Sequence, residues 1–76
     1  MELKQVSTYG ALETADIQAI VDGLWGVYAA HDLYEAYCEA VRARGGIPAH
    51  KTRVGQWLVG RGYPRRKVKG RVWYTI

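Results

Sequence analysis

The 76-residue sequence lacks the features that mark several large protein classes. Its single cysteine, Cys38, cannot form an internal disulfide, which favours a reducing cytoplasm. No apolar run approaches the roughly 18 residues of a membrane span, and the N-terminus lacks the basic and apolar segments of a secretory signal. One cysteine and two histidines are too few for a metal site. We therefore predict a cytoplasmic domain that holds no metal or other cofactor and does not enter a membrane.

Arrangements of catalytic residues are also missing. The chain contains no Gly-Lys-Ser/Thr phosphate-binding loop and no cluster of catalytic acids. No Ser–His–Asp or Cys–His combination has a supporting sequence context. We therefore predict that the protein is not an enzyme.

Acidic residues are absent from the second part of the chain. Up to Val41 the sequence has one lysine and seven acidic residues, whereas from Arg42 onward it has ten Lys and Arg and no acid. A solvated surface normally mixes both signs, so this split favours an anionic partner. The alternative is a basic tail that only aids solubility. It is disfavoured because aromatic residues such as Trp57 and Trp73 are interleaved with the cations.

Hydrophobic periodicity predicts three helices. They lie at about 14–26, 32–44 and 50–61. The three residues 27–29 leave room for a short extended segment between the first two helices. We expect one domain over residues 13–76, preceded at 1–12 by an N-terminal arm. This arm either packs on the domain through Leu3 and Val6 or is flexible.

The ends of these helices carry recognisable signals. Thr14 is the expected N-cap of the first helix, and Asp32 with Glu35 has the spacing of a capping box at the start of the second. His50 is the expected N-cap of the third helix. Capping is the role that we predict for both histidines, His31 included.

A basic hairpin follows the third helix. Its strands are predicted at about 63–68 and 71–76, with Lys69 and Gly70 as the turn. A two-residue loop pairs Arg65 with Tyr74, and it sends Tyr63 and Ile76 together to the core. A three-residue loop would pair Arg65 with Trp73 instead, because a slip of one residue turns every side chain over. We favour the two-residue loop.

The order of these elements predicts an α+β fold, a winged helix-turn-helix in which three helices precede a two-stranded wing. A basic helix beside a basic ribbon fits the DNA major groove and the neighbouring backbone. At residue level the segments DLYEAYCEAVRARGG, KTRVGQWLVGRGY and RRKVKGRVWYTI resemble the winged-helix domain at the C-terminus of primase–helicases from phages, plasmids and large DNA viruses such as poxviruses. The matching positions are Asp32 to Tyr37, Val54-Gly55, Gly62-Tyr63, Gly70, Arg71 and Trp73. The match covers about residues 28 to 76.

The resemblance implies a nucleic-acid-binding module of a phage or mobile element that works in the bacterial host cell. It carries over no enzymatic activity, because the ATPase and primase parts of those proteins are absent here. A free-standing module of this kind regulates transcription or serves as an excisionase-like accessory factor in recombination or replication. Trp57 and Gly60 occupy positions where that family commonly has charged residues.

Ten side chains are predicted to contact double-stranded DNA. They are Lys51, Thr52, Arg53, Gln56 and Trp57 of the third helix and Arg65, Arg66, Lys67, Lys69 and Arg71 of the hairpin. Arginine with guanine and glutamine with adenine are the usual bidentate contacts in the major groove. The hairpin cations are expected on phosphates, which orient a protein without specifying sequence. Trp57 is either a base contact or an outlying core residue, and Arg65 and Arg66 are also candidates for cation–π packing on Trp73 or Tyr74.

The acidic first part of the chain leaves three alternatives. It forms a solvated face, docks a basic host protein, or associates head-to-tail with a neighbouring copy on DNA. The second alternative defines a different class of function, a non-enzymatic interaction module that binds a host protein through its acidic N-terminal half. Cys38 is expected in the core, although a stripe with Tyr34 would also suit a dimer seam.

Overall fold

The computed structural model describes residues 9–76, which form three helices and a three-stranded antiparallel sheet. The elements in chain order are α1 (Thr14–Asp22), β1 (Val27–Ala29), α2 (Ala30–Ala43), α3 (Lys51–Gly60), β2 (Arg65–Val68) and β3 (Arg71–Thr75). The predicted α+β class and the three helices are confirmed. Within the described residues, no helix combines the length and the apolar character that crossing a membrane requires.

The sheet has three strands, whereas the sequence predicted a two-stranded wing and, at residues 27–29, a short extended segment without a partner; that segment is β1. The strand order is β1-β3-β2, so β3 lies in the middle. Its partners in β1 are Val27 opposite Thr75, Tyr28 opposite Tyr74, and Ala29 opposite Trp73. Ile76 exchanges two backbone hydrogen bonds with Gly26, at 2.8 and 3.3 Å. A segment of three residues shows too little alternation to identify a partner more than 40 positions away.

The C-terminal end of α1 and the identity of its N-cap differ from the prediction, whereas the helix begins at Thr14 as predicted. The helix ends at Asp22 and not near residue 26, because Gly23 forms its C-cap and Gly26 then turns the chain into β1 with φ +118°. The N-cap is Glu13 and not Thr14, and no side chain caps the first turn. A glycine at a helix end removes the steric cost of leaving the helical conformation.

The start of α2 also differs, because the strand before it runs directly into the helix. Ala29 is the last residue of β1 and the N-cap of α2, so the helix begins at Ala30. Asp32 therefore lies within the first turn, and the predicted capping box is not formed. His31 lies inside the helix, 3.8 Å from Glu35, and caps nothing.

The N-cap of α3 and the turn and register of the hairpin are confirmed, although β2 begins at Arg65 and not at residue 63. The Nδ1 atom of His50 accepts a hydrogen bond from the backbone N–H of Thr52 at 3.1 Å, as an N-cap should. The hairpin loop contains two residues, Lys69 at φ 51° and Gly70 at φ 77°, which is the backbone of a type I′ turn. Arg65 consequently faces Tyr74, as predicted.

The hydrophobic core is formed by side chains from all three helices and from β3. Its buried members are Ile17, Val21, Leu33, Tyr37, Cys38, Val41, Ala49, Val54, Leu58 and Tyr74. Tyr63 and Ile76 pack against its edge, as the favoured register predicted. Cys38 is 5% exposed, so it is a core residue and offers little surface to a dimer seam.

Two tyrosines of α2 hold the residue that precedes the N-cap of α3. The backbone N–H of Ala49 donates to the hydroxyl oxygen of Tyr37 at 2.9 Å. The hydroxyl of Tyr34 donates to the carbonyl oxygen of Ala49 at 2.8 Å. Burial raises the pKa of Tyr34 to about 12, which favours the protonated hydroxyl that donates this bond. The direction in which α3 starts is therefore fixed by α2.

The first described residues pack against the same connection between α2 and α3. The N–H of Gly10 donates to the carbonyl of Pro48 at 2.9 Å. The ring of Tyr9 meets the ring of His50 edge-on, with centroids 4.6 Å apart. The rest of the predicted N-terminal arm, with Leu3 and Val6, lies outside the described residues.

Replacing Tyr37 by Phe should lower the free energy of unfolding by about 1–3 kcal/mol, because the buried N–H of Ala49 loses its acceptor. Urea unfolding followed by Trp fluorescence measures this change. Tyr63→Phe is the matched control, since no hydrogen bond of its hydroxyl occurs within the described residues, and its effect should stay within about 0.5 kcal/mol. Equal losses in the two variants would contradict this role for Tyr37.

Candidate nucleic-acid interface

The ten side chains predicted to contact DNA all lie on α3 and on the hairpin formed by β2 and β3. Nine of them are exposed and Trp57 is half-buried against the core. Helix and hairpin are brought together by the core, since Val54 and Leu58 of α3 and Tyr74 of β3 belong to the same buried cluster. The structure therefore presents the predicted side chains on two neighbouring elements.

The exposed face of α3 can be assigned from its buried residues. Gln56 is two positions from both Val54 and Leu58, which places it on the opposite side of the helix. Thr52, one turn earlier, and Val59, one turn later, share this outward face. We call these three residues the outer face of α3; all of them are exposed.

A groove of about 690 Å³ runs between α3, the hairpin and the start of α2. Buried side chains such as Val54, Leu58 and Tyr74 contribute to its lining. Among the exposed residues that line it are Lys51 and Arg65, which provide positive charge from both α3 and β2. The outer face of α3 also borders this groove, so the groove is apolar at depth and has both neutral and cationic side chains at its opening.

The close approach of α3 and β3 depends on a glycine in the helix. A Cβ atom on Gly55 would lie 3.3 Å from the hydroxyl oxygen of Tyr74, which is closer than most side-chain contacts. A Cβ atom there would require the Tyr74 hydroxyl to move by a few tenths of an ångström, so Gly55 leaves room for the tip of this side chain.

The hairpin exposes its cations along a sheet edge. All four residues of β2, from Arg65 to Val68, are exposed, and β2 has a partner on one side only. The guanidinium of Arg71 lies 5.6 Å from the centre of the Trp73 ring. Among the described residues, neither Arg65 nor Arg66 makes a cation–π contact, so the predicted packing of these two residues on Trp73 or Tyr74 is wrong. The cation that lies over the Trp73 ring is Arg71.

Trp57 has both a core contact and a cationic neighbour. Its ring packs against the buried cluster, and the guanidinium of Arg61 lies 5.2 Å from the ring centre. The predicted alternative that Trp57 is an outlying core residue therefore agrees with its partial burial. Arg61 had not been included among the predicted contacts, although its position four residues after Trp57 places it on the same side of the helix.

The eight cations from Lys51 to Arg71 make no ion pair within residues 9–76. In the described part of the chain, one ion pair joins an Arg or Lys to a carboxylate, and it is formed by Arg44 and Asp16. Arg44 Nε–Oδ1 is 2.9 Å and Nη2–Oδ2 is 2.6 Å. Arg44 is therefore neutralised within the fold, and it does not belong to the surface of α3 and the hairpin. This pairing spans 28 residues and has no local signal in the sequence.

Two residues on the exposed side of α3 were not predicted to contact DNA. Val59 is 53% exposed although it is apolar and lies within a helix. Gly60 follows it, and a Cβ atom at Gly60 would meet nothing within 4 Å. The helical period of the sequence places Val59 outside the buried stripe of Val54 and Leu58, and this spacing could have identified Val59 as an exposed apolar residue.

Comparison with family models, with curated proteins and with solved structures finds no match to this chain. The resemblance to the primase–helicase winged-helix domain therefore remains a prediction based on the quoted residues.

Replacing Asp16 by Asn should destabilise the protein at neutral pH. The hydrogen bond from Arg44 holds the pKa of the Asp16 carboxyl below its ordinary value of 3.8. Because the pKa of this carboxyl is lower in the folded than in the unfolded protein, its ionised form stabilises the fold at pH values above the unfolded-state pKa. This contribution to the free energy of unfolding is lost as the pH falls through the folded-state pKa. Urea midpoints over a pH series should therefore converge for the two proteins in acid. Glu39→Gln removes an exposed acid without an ion pair among residues 9–76 and should leave the pH profile nearly unchanged; similar profiles for both variants would contradict the pairing.

The glycines at the end of α3 should respond oppositely to alanine. Gly60→Ala should raise the free energy of unfolding by about 0.5–1 kcal/mol, because Gly60 is helical and has open space around it. Gly62→Ala should lower it by about 1–2 kcal/mol, because Gly62 has φ +89°. Paired urea unfolding measures both. A loss of stability at Gly60 would mean that its site is not open.

Proposed function

We propose that this protein is a winged helix-turn-helix that binds double-stranded DNA, with α3 in the major groove and the hairpin along the phosphate backbone. One observation carries the proposal. The eight cations from Lys51 to Arg71 are exposed on α3, its C-cap and the hairpin, and none is neutralised by a carboxylate within residues 9–76. Positive charge that the fold leaves uncompensated is the usual footprint of a nucleic-acid partner.

The arrangement of elements supports the winged-helix assignment. A short strand between the first two helices pairs with the hairpin, and α2 and α3 follow each other through a short connection. The hairpin then extends beside α3 as a wing. With ten residues, α3 is ~15 Å long, and a major groove about 12 Å wide admits one helix of this kind.

The biological role that we propose is that of a regulator, or of a recombination or replication accessory factor, of a phage or mobile element. The protein would work in the bacterial cytoplasm and would have no catalytic activity of its own. The quoted segments that resemble the primase–helicase winged-helix domain support this assignment.

The acidic half supports the alternative role, docking of a host protein, less well. Asp16 is bound by Arg44, and Asp22 accepts a hydrogen bond from Gln18 at 2.7 Å. Carboxylates engaged within the fold are less available to a basic partner. This distribution favours DNA binding as the first function to test.

Binding to duplex DNA should weaken steeply with salt. If about five to seven phosphates are neutralised, the slope of log K against log salt should be about −5 to −6 for one protomer. Fluorescence anisotropy of a labelled duplex measures it. Failure to bind any duplex at low salt would overturn the proposal.

Replacing Lys67 by Ala should weaken all duplex sequences alike and make the slope shallower by about one unit, because a phosphate contact carries no sequence information. Arg42→Ala is the charge-matched control. It removes an exposed cation from the last turn of α2, outside α3 and the hairpin, and should change affinity less. Equal losses in both variants would point to net charge alone as the cause.

A further inference from the structure

The exposed surface of α3 is cationic at its sides and neutral along its outer face. Lys51 lies on the side next to the hairpin, where it lines the same groove as Arg65. Arg53 lies on the other side, in line with Trp57 and with Arg61 at the C-cap, because these residues are spaced four apart. The outer face between the two sides consists of Thr52, Gln56 and Val59, and it carries no charge.

This distribution matches the cross-section of a DNA major groove. The two walls of the groove are phosphate strands, which attract Lys and Arg, and the floor presents base edges. A helix inserted with its outer face toward the floor would place Lys51 and Arg53 toward opposite walls. The base edges would then meet the neutral residues.

We infer that α3 recognises A·T base pairs, with Gln56 contacting adenine and Val59, together with the methyl group of Thr52, contacting thymine. The inference rests on the proposed function and names its substrate class. A glutamine amide can bond adenine N6 and N7 at once, and apolar groups fit the thymine C5-methyl group. Guanine is best recognised by Arg or Lys, and cytosine by an acid. The outer face has neither.

Val59 and Gly60 are the residues that the fold itself does not explain. Val59 is 53% exposed, and a β-branched residue is not a strong helix former. Gly60 weakens the helix and has no neighbour within 4 Å of a Cβ atom that would require a glycine. A ligand that offers a methyl group would explain the exposed valine at position 59, and its close approach to the end of α3 would explain the glycine at position 60.

The test is a selection of bound duplexes from a randomised pool with the full chain, at a salt concentration where nonspecific binding is weak. The expected result is enrichment of A·T pairs at the positions protected by α3. In the selected duplex, replacing the contacted thymine by uracil removes only the methyl group and should weaken binding about two- to fourfold. Gln56→Ala should reduce the discrimination at the adenine position about tenfold.

The matched control for the methyl contact is another exposed valine. Val59→Ala should reduce the difference between thymine and uracil, because only the methyl of Thr52 and the smaller alanine side chain remain to contact the thymine methyl group. Val68→Ala, at the hairpin end of β2, should leave the difference unchanged. Enrichment of G·C pairs, no enrichment at all, or a thymine–uracil difference that Val59→Ala leaves undiminished would each overturn the inference. These outcomes leave the proposed function standing if duplex binding remains sensitive to salt and to Lys67→Ala. Absence of any duplex binding would overturn both.

Discussion

The position of α3 depends on the backbone of one buried residue, Ala49. Its N–H donates to Tyr37 and its carbonyl accepts from Tyr34, so two side chains of α2 hold both polar groups of the peptide before the N-cap. A buried backbone N–H or C=O group without a partner costs free energy, so other positions of Ala49 relative to the two tyrosines are disfavoured. Because His50 then caps the first turn, α3 leaves α2 in one direction.

The hairpin is positioned by a separate set of contacts. Pairing of β1 with β3 ties it to the start of α2, and burial of Tyr74 in the same cluster as Val54 and Leu58 ties it to α3. The type I′ turn at Lys69 and Gly70 fixes its register. The two cationic elements therefore keep a defined separation although their charges repel each other.

The sequence predicted what local chemistry determines. The cap at His50, the Lys69–Gly70 turn and the register of Arg65 with Tyr74 each depend on a few adjacent residues, and the structure has them. The exposure of Lys51, Thr52, Arg53 and Gln56 followed from the helical period as well. The pairing of β1 with β3, the early start of α2 at Ala30 and the Arg44–Asp16 pair were missed. Each depends on residues far apart in the chain, which local patterns do not report.

The charge split of the chain follows from this division of structural roles. The part up to Val41 supplies α1, β1 and most of α2, which hold α3 and the hairpin in place but need no contact with the anionic partner that we propose. Carboxylates there can reduce the net charge to +4. Attraction between opposite charges extends over about 10 Å at moderate salt, so these acids also offset part of the repulsion among the cations. Placing acids within α3 or the hairpin would give the same net charge but would neutralise the surface that is to face phosphates.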